Sequence, residues 1–181
     1  MSIKLDFCSF DAAKYAVMNW HYSKAMPAGK LVKIGVWENS IFIGVVLFGR
    51  GANQYVPQSL GLKLTECCEL VRVALNKHTA PTTQIVSVAL RLLRKSNEGI
   101  KTVYSYADLT NQGHLGIIYK AGNWKQHGIR RSDGGHYLDK DGKIVHNRSL
   151  NAKYGSKTNY PESYTKAPVQ EKYFFTYELR A

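Results

Sequence analysis

The chain has 181 residues, 44% hydrophobic and 21% charged, and its 25 Lys and Arg against 13 Asp and Glu leave a net charge of +12. That balance excludes a disordered chain, which buries too little apolar surface to offset its entropy, and suits a single folded domain, residues 1–181, that meets polyanions. The longest apolar run, Ile41–Phe48, is strand-sized, far short of the roughly 18 residues of a membrane span. The first residues, MSIKLDFCSFD, carry an acid early and no apolar signal core, so no membrane contact and a cytoplasmic location are expected. Cys8, Cys67 and Cys68 are odd in number and lack CxxC spacing, which points away from a disulfide framework or a Cys-based zinc site.

A first helix is expected to end near Asn19-Trp20-His21-Tyr22-Ser23. Lys33–Trp37, the polar turn Glu38-Asn39-Ser40 and Ile41–Gly49 read as a hairpin. Glu69–Leu75 alternates, with Val71, Val73 and Leu75 on one face and Leu70, Arg72 and Ala74 on the other. A helix follows, with Thr79 as cap, Pro81 in its first turn, an apolar stripe of Ile85, Val88, Ala89, Leu92 and Leu93, and Gly99 as its stop. Lys101–Ala107 reads as a strand, and Gln112–Ala121 as a second helix capped by Thr110 or Asn111 and ended by Gly122-Asn123. Tyr137–Val145 holds a turn at Asp139–Gly142, residues 146–171 a long polar excursion, and Lys172–Leu179 a terminal strand. A strand-helix-strand passage over residues 69–107 implies a right-handed crossover between parallel strands, hence a mixed α/β sheet.

The charge is uneven. Residues 120–161 hold nine Lys and Arg against three Asp, and no acid occurs from Lys143 to Tyr160. Arg130, Arg131, Lys143, Arg148, Lys153 and Lys157, with Tyr154 and Tyr160 interleaved, suit a surface that tracks phosphates and stacks on bases. The basic, loop-rich stretch 120–170 is therefore the expected nucleic-acid contact region.

His114-Leu115-Gly116-Ile117-Ile118-Tyr119-Lys120-Ala121-Gly122-Asn123-Trp124 resembles the Leu-Tyr-x-x-x-Gly-Phe ending of the GNAT acetyltransferases, as does the order of elements. The resemblance implies a GNAT-like mixed central sheet flanked by helices, with Tyr119 at the position of that family's general-acid tyrosine. The family's glycine-rich phosphate loop is replaced here by Lys77-His78-Thr79-Ala80-Pro81-Thr82-Thr83. Amides at that helix start, at Thr82, Thr83 and Gln84, remain the expected anion contact.

Read together, Asn19–Lys24, Glu69–Val73, Ser105-Tyr106-Ala107-Asp108 and Gly113–Tyr119 resemble the phage Mom proteins, a GNAT-related family, over roughly residues 15–135. The resemblance implies an enzyme that converts adenine N6 in double-stranded DNA to a carbamoylmethyl (acetamido) form, which protects phage DNA from host restriction. It implies catalytic roles for His21, Tyr22, Asp108 and Tyr119, converging on one cleft that Ser105 and Tyr106 also line. Asp108 falls where a strand ends, the usual place for functional groups in open α/β sheets. Glu66, Cys67, Cys68 and Glu69 read as a buried strand edge rather than a metal site.

The implied product joins a CH2 to nitrogen, whereas acyl transfer from a thioester joins nitrogen to a carbonyl carbon, so acetyl-coenzyme A alone does not account for it. A redox-capable metal such as iron, held by His21, Tyr22 and Asp108, would supply the missing step. Acetyl-coenzyme A, another group donor and a metal stay open as cofactors, and a homodimer stays open as the oligomeric state. The target adenine must leave the base stack, with Tyr22, Tyr106 and Trp124 as stacking candidates. Two rival readings are a GNAT N-acetyltransferase acting on a small amine or protein, and a non-catalytic basic DNA-binding protein.

Overall fold

The computed structural model describes residues 2–51, 53, 55–132 and 135–180, and of Asn111 the backbone only. Asp133, one of the three acids counted in the basic stretch, and the Asn111 side chain, one of the two expected caps, lie outside the described residues.

In chain order the elements are β1 (Ile3–Phe7), α1 (Phe10–Trp20), β2 (Leu31–Glu38), β3 (Ile41–Gly49), α2 (Tyr55–Ser59), β4 (Cys67–Leu75), α3 (Thr82–Ser96), β5 (Thr102–Asp108), α4 (Leu109–Gln112), α5 (Ile117–Lys120), β6 (Lys125–Ser132), β7 (His136–Leu138), β8 (Ile144–His146), α6 (Asn147–Tyr154), β9 (Thr165–Lys166) and β10 (Gln170–Glu178). They form two compact units. The first takes the chain up to Tyr106, Gly116–His127 and Phe174 onward, and the second takes Ala107–Leu115 and Gly128–Tyr173.

The first unit is built on a sheet of order β1-β2-β3-β4-β5-β10-β6, of which β5, β6 and β10 run on into the second unit. Neighbours from β1 to β4 are antiparallel, and β4 pairs with β5 in parallel. This is the mixed α/β architecture expected of a GNAT-like chain. The β2–β3 hairpin closes through Asn39 and Ser40 with φ of 49° and 69°, the paired left-handed conformation that matches strand twist. Two strands had no period-two signal. In β1 only Leu5 is buried, and every residue of β6 except Ser132 is exposed, so both are held by backbone pairing at the sheet edges.

Helix α1 lays Ala13, Ala16 and Val17, spaced i, i+3 and i+4, on Val45, Leu47 and Ala74, and the two alanines let its backbone approach the strands closely. Val71 packs against the same cluster, although simple alternation places it on the face opposite Ala74. A bulge explains this: Leu47 pairs with Arg72 but Phe48 with Leu70, leaving Val71 as the extra residue. Helix α3 buries Ile85, Val86, Ala89, Leu90 and Leu93, so its apolar stripe is rotated from the expected one and Val88 and Leu92 are only half-buried. Thr79 does not cap it and Pro81 is not in its first turn as expected: Pro81 is itself the N-cap residue, and no side chain bonds there. The expected helix over 112–121 is instead two short turns, α4 and α5, because Gly113 and Gly116 take φ of 57° and 72° between them.

The second unit holds a small antiparallel sheet of order β8-β7-β9. Asp139 Oδ1 accepts from the amides of Asp141 and Lys143 and shapes the turn between β7 and β8. The polar excursion contains α6, whose N-cap is His146, with Nδ1 accepting from the Arg148 amide at 3.1 Å. Tyr160 bonds the Asn147 carbonyl and Asn151 side chain and packs edge-on against Tyr137, so Tyr160 is a packing residue of this unit.

Candidate active site

The central feature is a parting of strands. Beta strands β4 and β5 pair only from Cys67–Glu69 to Thr102–Tyr104, and beyond that the ladder stops. At the first open position Ser105 Oγ donates to the Leu70 carbonyl at 2.9 Å and lies 2.8 Å from the Tyr119 hydroxyl. Because the serine proton is committed to Leu70, Tyr119 is the donor to Ser105. Both hydroxyls are buried, at 1% and 6% exposure.

Tyr119 stands on α5, where the left-handed Gly116 caps the turn and the amides of Gly122 and Trp124 both return to the Tyr119 carbonyl. Its ring is held by Phe175 at 4.9 Å and edge-on by Trp124 at 5.1 Å. Trp124 is itself only 6% exposed and also packs on Tyr177, so it supports Tyr119 and is not the exposed stacking platform expected. Burial pushes the Tyr119 hydroxyl up to about 12, against the lowering bond from Ser105, with Tyr22 and Glu69 adding to the rise. Tyr22, Glu69, Ser105 and Tyr119 thus share one electrostatic neighbourhood, and Tyr119 keeps its proton at neutral pH.

His21 is the C-cap of α1, its amide bonded to the Val17 carbonyl. Its Nδ1 accepts from the Ser23 amide at 3.1 Å and lies 2.8 Å from the Ser23 hydroxyl, which leaves the ring proton on Nε2. Burial, with the Arg72 charge second, pushes the ring down to about 4, so His21 is a neutral hydrogen-bond donor at pH 7 rather than a base. The exposed Tyr22 ring lies over it at 4.2 Å between centroids. On β4, Arg72 donates to the Val71 carbonyl at 2.6 Å, while its Nε is shielded from water without a hydrogen bond.

Two residues escaped the sequence reading. Glu69, read there as strand edge, stands at the last paired position before the strands part. Gly51, at φ 77°, is close enough that a Cβ there would lie 2.0 Å from the Tyr104 hydroxyl and 2.4 Å from Glu69 Oε2. Glycine is required for both reasons. An acid inside a strand whose other residues, Arg72 apart, are apolar was the signal available for Glu69.

Asp108 ends β5 three residues beyond Ser105 and belongs to the second unit, where it acts on His136 and its carbonyl accepts from the His114 amide. The structure therefore groups Tyr22 with Tyr119 and stacks His21 on Tyr22, while Asp108 is seated among residues of the other unit. Among the described residues no three His, Cys, Asp or Glu side chains are placed to hold a metal ion. Tyr106 is half-buried between Tyr104 and Phe174. Cys67 and Cys68 are buried thiols pushed up to about 12 by burial, unsuited to nucleophilic or ligand roles.

At the start of α3, Thr82 and Thr83 amides lie in the first turn, where helix geometry gives them no intrahelical acceptor, so an anionic group fits there. Just upstream, the buried Glu38 carboxylate already accepts from the amides of Thr79 and Ala80 at 2.8–3.2 Å, and Pro81 has no N–H. Of the three amides expected to meet an anion, that of Gln84 already donates to the Pro81 carbonyl at 3.0 Å, which leaves Thr82 and Thr83. The six expected DNA contacts all lie in the second unit and are exposed: Arg130 and Arg131 on β6, Lys143 in the β7–β8 turn, Arg148 and Lys153 on α6, and Lys157 in the helical turn that follows it. Arg131 is paired with Glu171 at 2.7 Å.

The fold has solved counterparts. The ribosomal-protein-S18-alanine N-acetyltransferase from Escherichia coli superposes with a TM-score of 0.57 at 9% identity, covering 99% of this chain and 96% of that one. The aminoglycoside 6'-N-acetyltransferase from Enterococcus faecium gives 0.54 at 10%, covering 100% and 98%. A Bacillus subtilis acetyltransferase in complex with CoA gives 0.52 at 12%, covering 97% of each. At these identities the likeness shows a shared fold. No curated protein matches by sequence. The sequence profile of the Mom protein family, however, matches residues 2–177, all but the extreme ends, and the parted strands and the Tyr119 turn lie inside that span: the chain belongs to the Mom protein family.

Proposed function

We propose that the protein is a transferase that places a small carbonyl-bearing group on the exocyclic N6 of adenine in double-stranded DNA, giving the carbamoylmethyl form. The observation that carries this reading is the opening between β4 and β5, with the buried, protonated Tyr119 hydroxyl at its apex, in a chain of the Mom family with net charge +12. Adenine N6 is a weak nucleophile; with a donor of the class X–CH2–C(=O)NH2, the N6–CH2 bond forms as the CH2–X bond breaks, N6 loses one proton and the departing X gains one. In this proposal the Tyr119 O–H turns from Ser105 to the departing group and supplies the second proton, and the Glu69 carboxylate takes the first. His21, neutral with its proton on Nε2, donates a hydrogen bond to the transferred carbonyl oxygen or to the base. The exposed Tyr22 ring offers the stacking surface for a base turned out of the duplex.

When bound, a coenzyme A ester supplies an activated acyl carbon, and the amides of Thr82 and Thr83 would hold its phosphate. Acyl transfer by itself ends at an N6 amide, not at N6–CH2, so the two products differ in mass. Nucleoside mass spectrometry of DNA from cells expressing the protein separates them. A carbamoylmethyl adenine is the expected product. An N6-acetyl adenine would keep the DNA substrate but replace the chemistry, and unmodified DNA together with acetylation of small amines would favour an ordinary N-acetyltransferase.

A further inference from the structure

Outside the active-site opening, the first unit carries a concentration of charge that the proposed chemistry does not use. Arg91, Arg94 and Lys95, at i, i+3 and i+4 on the last turns of α3, converge with Arg180 on a notch of about 290 Å³ whose one acidic lining residue is Glu98. Residues at this spacing share one helix face, so like charges there repel. Arg180 donates to the Arg94 carbonyl, and its Nε is shielded from water with no hydrogen-bond partner in the structure. Among the described residues one carboxylate faces four cations there, which leaves most of their charge uncompensated by those residues. Phosphate oxygens against the exposed Arg91, Arg94 and Lys95 would supply the missing charge.

We infer that this notch at the C-terminal end of α3 is a phosphate-backbone contact for duplex DNA, separate from the basic residues of the second unit. The inference rests on the DNA-modifying reading. Helix α3 spans 15 residues, roughly 22 Å at 1.5 Å per residue, so one rigid element carries the proposed cofactor contact at its start and the DNA contact at its end. Arg and Lys suit this role because phosphate contacts fix register on the duplex without reading sequence.

The test is the salt dependence of binding to a short duplex carrying one target adenine, for wild type, for Arg91→Gln/Arg94→Gln/Lys95→Gln, and for Lys14→Gln/Lys30→Gln/Lys63→Gln. The last has the same loss of charge at exposed positions of the same unit that do not line the notch. Each phosphate contact contributes about 0.9 to the slope of log affinity against log salt, so the notch variant is expected to lose about 2 to 3 from the slope and the control less than about 1. Should the triple variant melt early, Arg91→Gln and Lys95→Gln taken singly are each expected to lose about 0.9. Equal slopes for notch and control variants overturn the inference while leaving the DNA reading intact. Stabilisation of wild type, but not of the notch variant, by inorganic phosphate with unchanged DNA slopes overturns it in favour of a small-anion site. Absence of wild-type DNA binding overturns both.

Discussion

The Ser105–Tyr119 pair is the most exposed to test. Tyr119→Phe deletes a hydroxyl that donates to Ser105 and leaves Ser105 still bonded to Leu70. Losing one such bond costs about 1 kcal/mol. Ser105→Ala is different: it removes both the donor to the Leu70 carbonyl and the Ser105 acceptor of the Tyr119 hydroxyl, on residues only 3% and 6% exposed. At about 1–3 kcal/mol per buried partner lost, roughly 3 kcal/mol of stability is lost. In the double variant only the Leu70 carbonyl has lost a partner, so its loss is smaller than the sum of the single losses by about 1–2 kcal/mol. Urea unfolding of the four proteins measures the cycle. Losses that add within about 0.5 kcal/mol would show that the two hydroxyls are not bonded. Adenine modification separates roles: Tyr119→Phe is expected to lower the rate by about 10²-fold or more, while Ser105→Ala, which keeps the donor but not its anchor, loses less. Equal activity of Tyr119→Phe and wild type would reduce Tyr119 to a packing residue.

Other expectations follow from the same geometry. His21 titrates near 4 in the fold and near 6.5 unfolded, so the unfolded state takes its proton first as pH falls. Stability is full above about pH 6.5 and declines toward pH 4 by up to about 3 kcal/mol, a decline that His21→Gln should flatten in pH-dependent thermal melts. Glu38 has its pKa lowered by the Thr79 and Ala80 amides; Glu38→Gln should lower the melting temperature at pH 7, with the difference shrinking in acid. Gly51→Ala places a methyl against Tyr104 and Glu69 at a positive φ and is expected to lose about 1–3 kcal/mol in urea unfolding. Glu69→Gln should cut modification while leaving DNA affinity unchanged, as judged by gel shift. Reversing Arg148, Lys153 and Lys157 together should weaken duplex binding most at low salt; unchanged affinity would place the DNA surface elsewhere.

Much of the frame was legible in the sequence because it rests on local rules. The hairpin and the strand–helix–strand crossover follow from apolar periodicity, whereas the helix expected over 112–121 overlooked the breaks at Gly113 and Gly116. What local rules do not contain is the effect of one segment on another. The exposed strand β6 has no periodicity of its own and exists through its place at the end of the sheet. The Val71 bulge is a mismatch between two strands' registers, invisible in either alone. At the site, His21 and Tyr119 were nameable from sequence, but their chemistry was not. The Ser23 amide fixes which nitrogen of His21 holds the proton, and burial lowers its affinity for a second. Ser105 fixes the direction of the Tyr119 proton across 14 residues of chain. Glu38 reaches the α3 start across about 40 residues, taking amides that the sequence left unassigned. Protonation and donor direction depend on desolvation and on the partner's geometry, and both arise only when distant segments exclude water together.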